Sequence, residues 1–267
     1  GTLSIAAATA GTAGNMQFTA DEINLTGAAN TITSTGPITL RPETTSQAIQ
    51  LGTTDPGAGT LHFSTTELAT LQNGFSGITI GRSADGTGAV DVAGVVSFND
   101  NLTLVGGSIT SNATLTNTGN AVTLTARSGN ITDGDGGTAA NVTAPTVTLT
   151  ASGSIANSFD VTTVTNLTID VGNNFSVRGD GTTDLTDLTV VVDPGAFTTD
   201  NTYNLANFDN LTFGTAGLTD GIDATACVGG VTACIIVDGI VWAAAAVNAL
   251  NFSITADTGN LVLNDNN

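Results

Sequence analysis

Few residues in this sequence are equipped for chemistry, and their spacing says more than their number. Lysine is absent, and the four basic side chains are Arg41, Arg82, Arg127 and Arg178, set against 23 Asp+Glu and a single histidine, His62. The sharpest acidic cluster is Asp133-Gly134-Asp135-Gly136-Gly137. Alternate carboxylates separated by glycine are how a loop folds oxygens around a hard cation, so Asp133 and Asp135 form a weak Ca²⁺ candidate. No Glu follows at the distance an EF-hand loop requires, and a glycine-rich corner carrying solvated acids explains the same residues. Asp180-Gly181 and Asp220-Gly221 read as ordinary turns.

Catalysis asks for partners that this chain does not place side by side in sequence. A glycoside hydrolase needs two carboxylates at a set separation, and a polysaccharide lyase needs a base, commonly Lys or Arg, beside Ca²⁺-held acids. The four arginines stand singly at different points of the chain, with Arg127 and Arg178 most simply outward corner residues. His62 alternates with Leu61 and Phe63, which predicts that it faces solvent from a strand. The expectation is a non-enzyme with no catalytic residue and no cofactor beyond weakly bound Ca²⁺. The two cysteines, Cys227 and Cys234, lie in CVGGVTAC, where glycines let the chain turn back on itself. A local disulfide is the natural reading and fits an oxidising, extracytoplasmic compartment; two free thiols are the alternative. Two cysteines and a distant His62 cannot complete a tetrahedral metal site.

The formal balance is 4 − 23 = −19, with only 10% of residues charged. An ordinary soluble domain carries about 25%. Nucleic-acid binding is excluded, because neutralising phosphates takes clustered Lys and Arg, and an anionic membrane surface would repel the chain. The longest apolar stretch, Gly239 to Leu250, falls short of the roughly 20 residues that cross a bilayer. High charge with low hydrophobicity would favour disorder, but 40% of the residues are apolar and occur in short alternating runs. The chain opens GTLSIAAATAGTAG, with neither Met nor a basic segment, and is expected to be a mature or excised piece of something longer.

What must position these residues is a repeat. An apolar-Thr-apolar motif recurs at Ile38-Thr39-Leu40, Ile78-Thr79-Ile80, Leu102-Thr103-Leu104 and Val122-Thr123-Leu124. It continues at Val147-Thr148-Leu149, Leu167-Thr168-Ile169, Leu188-Thr189-Val190 and Leu211-Thr212-Phe213. The central threonines are 40, 24, 20, 25, 20, 21 and 23 residues apart. The first gap reads as two units, with Leu61-His62-Phe63 between them. A Gly/Ser corner and a second strand beginning with Ile follow three of the motifs, in TLVGGSI (103–109), TLTARSGNI (123–131) and TLTASGSI (148–155).

This period selects among β architectures. A sandwich has no reason to repeat one sequence at one offset, and a propeller blade takes about 40–45 residues. Coils of about 20–25 residues, three short strands joined by corners, match a right-handed parallel β-helix. Stacking at about 4.8 Å puts Val, Ile and Leu inside and Thr outside in ladders, and a dozen coils would make a rod on the order of 55 Å long. Outward Thr ladders also occur in ice-binding solenoids, but here the spacing varies from unit to unit and strand propensity explains them. Ser64-Thr65-Thr66-Glu67 before LATLQ is a capping box, predicting a short helical excursion near 64–72 at one corner. The expected organisation is β-helix repeats over 1–195 and a continuing or modified β-helix with a cysteine loop over 196–267.

The TLTARSGNI and VTLTASGSI units, with LHFSTTELATLQNGFSGITIGRSADGTGAVDV at Leu61 to Val92, resemble the large β-helical exoproteins of the filamentous haemagglutinin type, exported by two-partner secretion. The resemblance covers about Ile38 to Pro194. It implies an adhesive or structural shaft segment at a bacterial cell surface, outside the cell. Its partners would be neighbouring repeats of a longer chain, other copies of itself or surface glycans. The family's N-terminal secretion domain, with its Asn-Pro motifs, has no counterpart in this sequence. Open ends of stacked strands pair with other chains unless capped, so a subunit that polymerises end to end into a fibre is the alternative.

Overall fold

The apolar-Thr-apolar motif forms strands because β-branched residues fit a pleated, half-buried surface, and alternation sends every second side chain inward. Ala121–Ala126 and Thr146–Ala151 show this in full, with their Val, Leu and Ala side chains buried and their threonines half-exposed. The computed structural model describes residues 1–179 apart from 7, 8, 12, 55, 58 and 174. Beyond these it describes the backbone of strands Asp187–Val192, Thr202–Phe208, Leu211–Phe213, Ala233–Val237, Ile240–Ala244, Asn251–Ala256 and Leu261–Leu263. The chain is all-β with long parallel sheets, and its one described helix is a single turn.

Among the described residues, one parallel sheet of eight strands carries the threonines. Thr39, Thr79, Thr103, Thr123, Thr148, Thr168 and Thr189 stand directly opposite one another in successive strands. The flanking apolar residues stack equally, as in Leu40, Ile80, Leu104, Leu124, Leu149 and Ile169. A second ladder receives the strand after each Gly/Ser corner, where Ile49, Val90, Ile109, Ile131, Ile155 and Phe175 align. A third and shorter ladder aligns Val96, Leu115, Val142 and Val161. From Ile78 to Val171 the chain visits the three ladders in constant order, so each repeat lays one strand on each. Inward residues of all three ladders form one continuous apolar core. Glycine is obligatory where corners touch: a Cβ on Gly94 would lie 2.3 Å from the Gly52 carbonyl oxygen, and one on Gly52 as close to that of Gly94.

The 40-residue gap is one repeat rather than two. Ile38-Thr39-Leu40 pairs directly with Ile78-Thr79-Ile80, so no intervening unit exists on the Thr ladder. The extra residues make an inserted strand instead. After Ala48–Leu51 the chain returns as Thr60–Phe63, parallel to Ala48–Leu51. There it stands beside Glu22–Leu25, which among the described residues pairs only with Thr2–Ile5. The predicted helix then follows, as the turn Thr65–Leu68 with Ser64 as N-cap and both capping-box hydrogen bonds to Glu67 formed. It is shorter than 64–72 and does not simply protrude, because Leu68 is buried and residues 70–72 bond to Ile32.

The chain beyond Pro194 departs from the repeat. Thr202–Phe208 and Asn251–Ala256 extend the second ladder. Leu211-Thr212-Phe213 does not join the Thr ladder but pairs with Leu261–Leu263 in a separate sheet. Ala233–Val237 and Ile240–Ala244 form an antiparallel pair. Cys227 lies outside the described residues, as does the Cys234 side chain.

Inward and outward ladder positions should differ sharply in their tolerance of truncation. Leu124→Ala, at a site 1% exposed, is expected to cost about 2–5 kcal/mol. Thr123→Ala next to it should cost no more than about 1 kcal/mol, both read by urea denaturation.

Candidate functional site

Interruption of the repeat, more than the repeat itself, creates chemistry-bearing surroundings. The second-ladder column Leu51–Val92 changes from apolar to polar at Ser111 and Asp133. Asp133 is 1% exposed, so the expected solvated corner acid is in fact buried, while Asp135 remains exposed. Its Oδ1 accepts from the backbone N–H groups of Asp135 (3.2 Å) and Gly136 (3.3 Å) and from Asn141 Nδ2 (3.1 Å). Its Oδ2 is buried without a hydrogen-bond partner.

Asn141 links this acid to a second one, accepting from the backbone N–H of Asp160 at 2.7 Å. Asp160 holds Arg178 through both carboxylate oxygens, with Arg178 Nη2 2.6 Å from Oδ2, and the same nitrogen donates to the Gly137 carbonyl at 2.7 Å. Arg178 is therefore no outward corner residue but the counter-ion of a buried acid. Asp160 was not foreseen, because Phe159-Asp160-Val161 are all buried where strict alternation would send the middle residue outward. A bulge at Asn157 and Ser158, with φ of 65° and 58°, shifts the pairing of Ile155–Thr162 with Phe175–Arg178 and sets Asp160 opposite Arg178, whose guanidinium binds its carboxylate. Burial raises the Asp160 carboxyl above its ordinary 3.8, Arg178 opposes this, and Asp133 and Asp135 reinforce it. Among the described residues no group of three or more His, Cys, Asp or Glu is placed to hold a metal ion. The Ca²⁺ reading of Asp133 and Asp135 gains no third ligand of those types.

The arginines are not scattered. Arg82 forms a bidentate pair with Asp85 (2.7 and 2.6 Å) and donates to the carbonyls of Pro42 and Glu43. Arg127, two repeats further along, donates to the carbonyls of Ser83 and Ala84. The Asp85 carboxyl is held low by its bonds to Arg82, with Arg41 and Arg127 adding to the effect. Three of the four arginines thus act on one corner, where Arg82 and Arg127 staple the loop that carries Asp85 while Arg41 donates to Thr19.

The inserted strand lines a cleft of about 750 Å³ beside Glu22–Leu25. Asp21, Glu22, Asn24, His62, Ser64 and Glu67 are among its lining residues. Thr44 donates to Asp21 from both its backbone N–H (2.7 Å) and its hydroxyl (2.9 Å), which holds the Asp21 carboxyl below its usual range. Glu67 accepts from the Ser64 N–H (2.9 Å) and hydroxyl (2.8 Å), and from the Leu25 N–H at 3.3 Å, so it ties the helical turn to the preceding repeat. His62 does point away from Leu61 and Phe63, but it is only 8% exposed rather than on the surface. Thr53 lies against it, with its carbonyl oxygen 2.6 Å from Nε2. The glycines and proline of TTDPGAG, just before the strand, were the available signal for such a cover.

The chain matches no known family model, and no characterised protein or solved structure is similar to it.

Replacing Arg178 by Met should cost about 3 kcal/mol, because it strands a buried carboxylate. Asp160, with its raised value, stabilises the fold most fully below pH 3.8, and this contribution declines as pH rises through the shifted value. The stability difference between the wild type and Asp160→Asn should therefore shift against the wild type as pH rises from 3.8, read by urea midpoints across a pH series.

Proposed function

We propose that this chain is a stretch of right-handed parallel β-helix and serves as a non-catalytic structural or adhesive segment of a secreted bacterial surface exoprotein. The observation that carries the reading is the in-register parallel stack of threonines from Thr39 to Thr189, with the chain returning to each of three ladders in turn. Eight strands at about 4.8 Å make a stack on the order of 34 Å long, extended by every further repeat. Such a stack spaces and presents whatever its interruptions build, and the inserted strand with its cleft is that kind of presented feature. The scarcity of basic residues and the use of Arg82, Arg127 and Arg178 as staples support a non-catalytic role. No described helix is long and apolar enough to cross a membrane. The likeness of TLTARSGNI and VTLTASGSI to filamentous haemagglutinin-type exoproteins supports an extracellular, cell-surface location within this proposal.

Negative-stain electron microscopy of the purified chain tests it. Short isolated rods of uniform narrow width are expected. Long fibres of the same width would favour the end-to-end polymer instead, and round particles would sink the β-helix.

A further inference from the structure

Two of the chain's four arginines stand without an acidic partner. Arg82 and Arg178 each grip a carboxylate through both oxygens, those of Asp85 and Asp160. Arg41 and Arg127 form no ion pair among the described residues, although the sequence holds 23 Asp+Glu. Arg41 spends only Nε, on the Thr19 hydroxyl at 3.0 Å, so both of its terminal nitrogens keep their N–H donors. Arg127 spends one N–H of each terminal nitrogen on the Ser83 and Ala84 carbonyls, which leaves Nε and the second N–H of each. Arg41 is half-buried and Arg127 exposed, so solutes reach both.

The two guanidiniums belong to one surface. Arg41 closes the strand Ile38–Arg41, and Arg127 follows the strand Ala121–Ala126, three strands further along the Thr ladder. At the strand spacing their backbones lie about 14 Å apart. Asp85, held low chiefly by its bonds to Arg82, also feels both of them. Asp85 and Glu43 are the carboxylates acting on Arg82, so three guanidiniums face two acids and the corner keeps an excess of positive charge. In a chain of net charge −19 an anion is drawn to this corner and repelled elsewhere.

Chemistry selects the occupant. An arginine fork matches the two oxygens of a carboxylate, as Arg82 and Arg178 show within this chain. A long polyanion would have to lie along acidic surface, so the anion is short. A protein partner needs apolar anchors at the centre of its contact, and Val95 is the one large apolar side chain exposed among the described residues. A sugar makes no such demand, and the exposed Ser83 and Ser128 beside Arg127 offer it polar contacts.

We propose that the corner between Arg41 and Arg127 binds a short run of acidic sugars, each guanidinium gripping one sugar carboxylate. This rests on the reading of the chain as a surface segment that presents binding features, and it names the class of partner.

Four arginines give four Nε–H signals, so ¹⁵N NMR of the whole chain reads each one separately. A galacturonic acid trimer should shift the Arg41 and Arg127 signals in a saturable way and leave Arg178 in place. A galactose trimer at equal concentration should shift neither. Arg41→Gln should weaken binding of the acidic trimer about tenfold, the loss of about 1.4 kcal/mol. Its urea midpoint should stay near that of the wild type, because Arg41 holds only Thr19. The proposal is overturned by no shift at millimolar acidic trimer, by equal shifts with the galactose trimer, or by undiminished binding to Arg41→Gln. Tighter binding of triglutamate than of the galacturonic acid trimer would place the carboxylates on a polypeptide and overturn the sugar assignment. Rod shape is read separately by microscopy, so failure here is distinct from failure of the β-helix reading.

Discussion

The structure depends on parallel pairing in register between successive repeats. A parallel ladder satisfies every backbone N–H and C=O of an inner strand only if its neighbours lie alongside at the same height. Once Ile78-Thr79-Ile80 is aligned on Ile38-Thr39-Leu40, inward residues can meet only inward residues and threonines only threonines. A slip of one residue would turn a whole apolar column out to water. This explains why the sequence repeats a pattern of residue types rather than fixed identities, and why Val, Ile, Leu and Phe interchange freely along each column.

The same constraint governs how the stack accepts an insertion. Additional residues cannot enter a ladder without breaking register, so the extra length between Leu40 and Ile78 lies on one face only. Thr60–Phe63 adds a strand to the second ladder, residues 70–72 pair with Ile32, and the Thr ladder runs on unbroken. The capping box at Ser64 and Glu67 stops the inserted strand and turns the chain, and Glu67 reaches back to the Leu25 N–H where strand pairing is missing. A polar cleft results because the surfaces meeting there were outward faces, rich in acids and hydroxyls.

Charge follows a related logic inside the stack. In a chain with a net charge of −19, each arginine has a specific task. Arg178 neutralises Asp160 next to the bulge, and Arg82 and Arg127 secure a corner loop through its carbonyls. Buried carboxylates survive where backbone N–H groups and Asn141 surround them, since an unpaired buried charge is costly.

By itself the sequence determined the strand period, the columns of inward apolar residues, the Gly/Ser corners followed by Ile and the capping box at Ser64, because each depends on neighbours within a few residues or on a repeated offset. It also limited the chemistry, through the absence of lysine and the single histidine. Only the tertiary structure decided that the 40-residue gap holds an inserted strand, that His62 is covered, that Asp133 and Asp160 are buried and that three arginines share a corner. Those outcomes depend on which residues from repeats 20 to 40 positions apart meet in space. A strand edge offers the same pattern to any partner, and only the pairing across the bulge at Asn157 and Ser158 sets Asp160 opposite Arg178.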